Sequence, residues 1–234
     1  MRIAMWSGPR NLSTAMMYSF AARGDCAVWD EPFYAPYLKI TGLAHPMAEQ
    51  IIARHDHDPN GVGSACSGPI PGEKPHFYMK HMAQHMIEGM PLDWAKGCVH
   101  VHLIRHPARV IASYAAKREA PTLEDIGFVQ QQALFNRLGG IVIDSHDIRD
   151  NPKAMLQALC GEIGLNWSPD MLHWSAGGHA DDGIWAAHWY GAVHQSTGFA
   201  GVEGPLPALS DRYQALCDAA LPAYQAMQGH ALKV

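Results

Sequence analysis

Short apolar runs alternating with helix-permissive stretches predict an α/β fold of three layers, with a mostly parallel central sheet and helices on both faces. Three observations carry that reading. Met1 to Trp6 is a β-forming run, broken at Ser7-Gly8-Pro9 and followed by a helix-permissive stretch from Leu12 to Arg23 that ends near Gly24. Cys98 to Ile104 is apolar nearly throughout, as expected of a strand buried on both faces, and Pro107 then opens a helix where its fixed φ is tolerated. Asn151-Pro152 precedes a stripe of Met155, Leu156, Leu159 and Ile163 that stops at Gly164, the pattern of a capped amphipathic helix.

The remaining elements fill the gaps. Ala27-Val28-Trp29 reads as a strand stopping at Asp30-Glu31-Pro32, and Phe77-Tyr78-Met79-Lys80 as another stopping near His81. Thr122 to Leu138 reads as one helix, with Thr122 and Asp125 in capping-box spacing, and Ile141 to Asp144 as a further buried strand. Two stretches rich in Gly, Pro, His and small residues, near 55–75 and 175–207, are expected to be lid or substrate loops within one domain spanning 1–234. Trp185, Trp189, Tyr190 and Phe199 in the second suit a pocket wall or packing at a core edge equally well.

Composition narrows the function. With 48% hydrophobic and 17% charged residues in 234, the chain is a compact folded protein rather than a disordered one. A net charge of -5 argues against a general nucleic-acid binder, so any anion site must be local. Five widely spaced cysteines without a C-x-x-C pair suit reduced thiols in the cytoplasm, and no signal peptide or membrane-spanning run is evident.

Ser7 to Thr14 follows a strand and enters a helix, so backbone N–H groups and the helix N-terminus converge on one point, an anion cradle. Arg10 adds a planar fork for phosphate or sulfate, and Ser13 and Thr14 add hydroxyl donors. There is no G-x-x-x-x-G-K-[ST], so this is not a Walker A loop; a tight turn with an incidental arginine is the plainer alternative.

Pro9-Arg10-Asn11-Leu12-Ser13-Thr14 resembles the early Pro-Lys-Ser-Gly-Thr-Thr loop of the P-loop sulfotransferases, which binds the 5′-phosphosulfate, with Arg10 where that family has Lys. Arg105-His106-Pro107-Ala108-Arg109-Val110-Ile111-Ala112-Ser113-Tyr114 resembles the family's Arg-Asp-Pro-Arg-Asp-Val-x-x-Ser-Tyr segment, whose Arg and Ser hold the 3′-phosphate. Arg109 itself reads as an exposed helix residue or an ion-pair partner. Asp144 to Asp147 and the Asn151-Pro152 helix are similar to a third, structural segment of the family. Asp-Glu-Pro-Phe-Tyr at 30–34 resembles the bacterial sulfotransferase-like branch, while the family's C-terminal Arg-Lys-Gly clamp has no match, since Ser175-Ala176-Gly177 keeps only the Gly.

The resemblance implies a P-loop nucleoside-triphosphate-hydrolase-like (sulfotransferase) fold and transfer of a sulfuryl group from 3′-phosphoadenosine 5′-phosphosulfate to a hydroxyl or amine of a small-molecule acceptor. It assigns the nucleotide to Pro9, Arg10, Asn11, Leu12, Ser13, Thr14, Arg105 and Ser113, and leaves room for a homodimer. Catalysis would fall to Arg10 and a general base, for which His81 and Glu31 are both candidates. No metal is expected, because His81 and His85 at i, i+4 and His55 with His57 lack the further ligands of a metal motif. A phosphotransferase on the same scaffold and a non-catalytic nucleotide- or anion-binding protein are the rival readings.

Overall fold

A computed structural model describes residues 1–116 and 120–234. Five strands, β1 (Arg2–Ser7), β2 (Cys26–Asp30), β3 (His76–Met82), β4 (Val99–Ile104) and β5 (Ile141–Asp144), form one sheet in the order β2-β3-β1-β4-β5, every pairing parallel. Parallel pairing brings all the C-terminal strand ends to one edge. The chain fills one side of β1 with β3 and β2, then crosses to the other side for β4 and β5. The loop after β1 therefore opens at the switch point where sheets of this kind bind ligands.

The helices are α1 (Ser13–Ala22), α2 (Tyr34–Thr41), α3 (Ala48–Arg54), α4 (Pro59–Ser67), α5 (Pro107–Ala115), α6 (Leu123–Ile126), α7 (Phe128–Leu138), α8 (Ser145–Asp150), α9 (Pro152–Ile163), α10 (Ala186–Trp189), α11 (Gly191–His194) and α12 (Asp211–Gln228). Strand alternation sorts them into layers. Ile3 and Met5 of β1 pack with Met16, Met17 and Phe20 of α1 and Leu156 and Leu159 of α9, whereas Ala4 and Trp6 face Tyr34 and Leu38 of α2, Ile51 of α3 and Val62 of α4. A further cluster joins Val110 and Ile111 of α5 to Cys217 and Ala220 of α12. Each such fully buried aliphatic side chain contributes about 1.5–3 kcal/mol, so both faces of the sheet are held by dry packing.

Local signals explain most boundaries. Asn151 Oδ1 accepts from the Ala154 amide at 3.1 Å and Gly164 ends α9 at φ 72°, as its capping pattern predicts. The Thr122–Asp125 capping box is formed. The helix expected over Thr122 to Leu138 is instead two, because Gly127 at φ 70° breaks it into α6 and α7. The stretch near 55–75 is not an irregular loop: Asp58 caps α4 by accepting from the Asn60 and Gly61 amides, and Pro59 takes the first position. β3 runs two residues past Lys80 to Met82. None of the described helices is long and apolar enough to cross a membrane.

Candidate active site

The loop after β1 is built around two strained residues. Arg10 (φ 61°) and Leu12 (φ 72°) take the left-handed conformation that side chains usually avoid, at a cost of about 1–3 kcal/mol each. Alternating handedness turns successive amides toward one side, the geometry of an anion nest. The surroundings hold that shape. Asn11 Nδ2 donates to the Leu103 carbonyl at 3.2 Å, and Gln131 Nε2 donates to both Trp6 and Leu103 carbonyls, at 3.0 and 2.9 Å. A Cβ on Gly8 would stand 2.6 Å from the Ile126 carbonyl oxygen, so only glycine allows the loop this close to α6. Helix α1 begins at Ser13 with no side-chain cap, leaving its first amides aimed into the same cleft.

A cavity of about 330 Å³ adjoins the loop, and it is lined by Pro9, Arg10, Asn11, Leu12, Ser13 and Thr14 together with Arg105, Ser113 and Glu31. The two predicted arginines thus share one cleft. Arg10 Nε donates to Ser113 Oγ at 2.9 Å and Arg105 Nη1 donates to the Arg10 carbonyl at 2.7 Å. Burial, reinforced by the Arg105 charge, pushes the Arg10 guanidinium below its ordinary pKa, which is the condition of a site poised for an anion. The 175–207 segment supplies the opposite wall through Trp189, Tyr190, Val193, Ser196, Gly198 and Ala200, whereas Trp185 packs in the core.

The two candidate bases part company. His81 is 1% exposed and does not line the cavity. It pairs in register with Trp6 and lies on that residue's face of the sheet, 4.7 Å from both the Trp6 and Trp94 rings. Neither ring nitrogen has a hydrogen-bond partner, and burial pushes its pKa down to about 3. Because side chains alternate along β3, it is Lys80 and Met82 that reach the cleft and His81 that turns away.

Glu31 lines the cavity from a left-handed backbone position (φ 44°) just past β2. Lys80 Nζ, itself 1% exposed by side chain, donates to Asp30 Oδ1 at 2.8 Å, to Glu31 Oε1 at 2.7 Å and to the Tyr190 hydroxyl at 2.5 Å, using all three of its protons. Tyr190 Oη stands 2.9 Å from both Asp30 oxygens and 3.1 Å from Glu31 Oε1. Burial, opposed by Lys80 and reinforced by Asp30, raises the Glu31 pKa. Burial alone would lower Lys80, but the two carboxylates outweigh it and lift its pKa, so it stays an ammonium. His85 completes this end: its ring stacks on Tyr34 and Tyr37 at 4.6 and 4.8 Å, and Nε2 lies 4.0 Å from Glu31 Oε2. Burial holds it neutral.

Sequence reasoning placed Trp189 and Tyr190 on a pocket wall or a core edge, and it missed Lys80 and His85 as cleft residues. A lysine closing an apolar strand run was the available signal, since a buried ammonium needs partners. Arg109, read as an ion-pair partner or an exposed residue, pairs with Glu203 at 3.0 Å. Among the described residues, no group of three or more His, Cys, Asp or Glu side chains is arranged to hold a metal ion.

The site can therefore grip a polyanion at two points and present a carboxylate beside it. Comparison with known proteins agrees with the fold and extends it. The curated relatives include branched-chain-amino-acid aminotransferase-like proteins 1 and 2 of Arabidopsis thaliana, 32% and 31% identical over 97% of this chain. The matched region is 42% and 41% of their length, so the chain spans about two fifths of those relatives. The sulfotransferase domain from the curacin biosynthetic pathway superposes over 93% of this chain and 96% of its own with a TM-score of 0.57 at 14% identity, a likeness of fold. Residues 1–231 match the family described as sulfotransferase domain, and the chain belongs to that family.

Proposed function

We propose that the protein transfers a sulfuryl group from 3′-phosphoadenosine 5′-phosphosulfate to a hydroxyl or amine of a small-molecule acceptor. The observation that carries this reading is the single cavity lined by the β1 loop, Arg105, Ser113 and Glu31. Its residues fit the donor: the nest of loop amides, the α1 N-terminus and Arg10 suit the phosphosulfate, and Arg105 with Ser113 suits the 3′-phosphate. Glu31 is the base. It takes the acceptor proton as the acceptor oxygen or nitrogen bonds to sulfur, and the sulfur–oxygen bond to the 5′-phosphate breaks with its electron pair leaving on the phosphate. Arg10 and the loop N–H groups meet the charge that develops there.

A raised pKa suits Glu31 to that task, because its carboxylate is a stronger base than an ordinary one and accepts a proton more readily. Lys80 and Tyr190 fix its orientation from one side, leaving the Oε2 edge for the acceptor and His85. Radiolabelled donor incubated with a panel of small hydroxylated and amino acceptors tests the reading. Transfer to one class, with Arg10→Ala lowering turnover by more than it changes acceptor KM, is expected. Absence of transfer to every acceptor together with absence of nucleotide binding would remove it.

A further inference from the structure

Glu203, which does not line the cavity, is the centre of a cluster of which only Arg105 belongs to the nucleotide grip. Glu203 has a side chain only 1% exposed, and three guanidiniums surround it: Arg105 donates to its Oε1, Arg149 Nη1 lies 2.8 Å from the same oxygen, and Arg109 Nε lies 3.0 Å from Oε2. These arginines come from three places, the end of β4, the first turn of α5 and helix α8, so the fold converges on this one carboxylate. Burial would raise the Glu203 pKa, but the arginines hold it below the usual carboxylate range, and it is charged.

Glu203 sits on the segment whose Gly198 and Ala200 form part of the cavity wall. The same arginines fasten that strap: Arg149 Nε donates to the Gly201 carbonyl at 2.8 Å, and Arg109 donates to the Gly204 carbonyl. Only Arg105 of the three lines the cavity. It therefore serves two anion positions, the Glu203 carboxylate that it pairs with and the cleft that it lines. Three arginines less one carboxylate leave two net positive charges, which matches a phosphate monoester dianion.

Resting on the nucleotide reading above, we propose that Glu203 is an internal counter-anion of the 3′-phosphate subsite, a positioning residue that draws charge from Arg105 and weakens the hold on that phosphate. The spent nucleotide keeps the same 3′-phosphate as the donor, so a subsite of full strength would retain the product and slow turnover. A carboxylate and a phosphate that share one guanidinium stand roughly 7 Å apart, and at an effective dielectric between about 20 and water's 80 each unit-charge repulsion weakens binding by roughly three- to fiftyfold, with tenfold the middle of that range.

Calorimetry with adenosine 3′,5′-bisphosphate and adenosine 5′-monophosphate on the unmodified protein and on Glu203→Gln decides the matter. Glutamine keeps the shape and an acceptor oxygen for Arg105 but raises the cluster to three net charges. The expected result is about tenfold tighter bisphosphate binding with the monophosphate unchanged, and a slower release rate in stopped flow. Equal tightening of both ligands, no change, or weaker bisphosphate binding would overturn the proposal, the last showing Glu203 to be only a scaffold. Because three uncompensated arginines could unfold the variant, Glu203→Gln combined with Arg149→Gln returns the count to two and is expected to bind the bisphosphate as the unmodified protein does. A double variant that departs from it by tenfold or more in either direction contradicts the charge account. Failure of the unmodified protein to bind the bisphosphate would instead sink the nucleotide reading, and this proposal with it.

Discussion

His81 offers a sharp test, because the structure gives it a role opposite to the catalytic one its sequence position suggested. Both nitrogens are buried without partners among Trp6, Trp94 and Phe33, and its pKa falls from 6.5 to about 3. The folded protein therefore holds His81 neutral, while the unfolded chain takes up a proton below its ordinary pKa. Stability is present above about pH 6.5 and lost as pH falls toward 3. At pH 5 the unfolded state lies roughly 1.5 units below its pKa, which at 1.36 kcal/mol per unit amounts to about 2 kcal/mol. For a chain of this length that is roughly 4–8 °C of melting temperature. His81→Leu removes the titrating group at similar volume, so its melting temperature should fall less than that of the unmodified protein between pH 7.5 and pH 5, by about that margin. His85 and His102 titrate in both proteins and cancel in the difference. Thermal unfolding followed by circular dichroism reads it. An unchanged acid sensitivity, or a hundredfold loss of turnover in a variant that melts normally, would refute the reasoning and return His81 to the chemistry.

Two further predictions concern the cleft. Glu31→Gln should lower turnover by about 10²–10⁴-fold while leaving bisphosphate affinity within a few-fold, and in the unmodified protein turnover should rise with pH through an acidic limb set above the ordinary carboxylate range, because the Glu31 pKa is raised; a pH–rate profile and calorimetry check both. Gly8→Ala should displace the β1 loop, since its new methyl would sit 2.6 Å from the Ile126 carbonyl oxygen; a loss of nucleotide binding with at least about 1 kcal/mol of destabilisation is expected in denaturant titration.

Much of this was legible in the residues for a physical reason. β1, β4 and β5 are largely buried on both faces and so read as mostly apolar runs, while α9 carries its own start and stop signals in Asn151, Pro152 and Gly164. The loop and Arg105 to Ser113 were legible because strand-to-helix spacing fixes where their anion donors point. Helix α12 was not: Pro222 lies inside it, its buried residues are cysteine, alanine and methionine rather than a strong apolar stripe, and it packs against α5 and α7 and the β4–β5 edge of the sheet. The orientation of His81 turned on how far β3 runs, because one residue of register sends a side chain to the other face. Glu203 gave no local signal, since its meaning comes from three arginines distant in the chain.

In the proposed function, Arg10 and Arg105 grip the two ends of one nucleotide in one cleft. Titration calorimetry of adenosine 3′,5′-bisphosphate into the unmodified protein and into Arg105→Ala tests it most directly. Micromolar binding that weakens by at least tenfold in the variant is expected, with adenosine 5′-monophosphate affinity nearly unaltered. Equal affinity of the two proteins for the bisphosphate would contradict it.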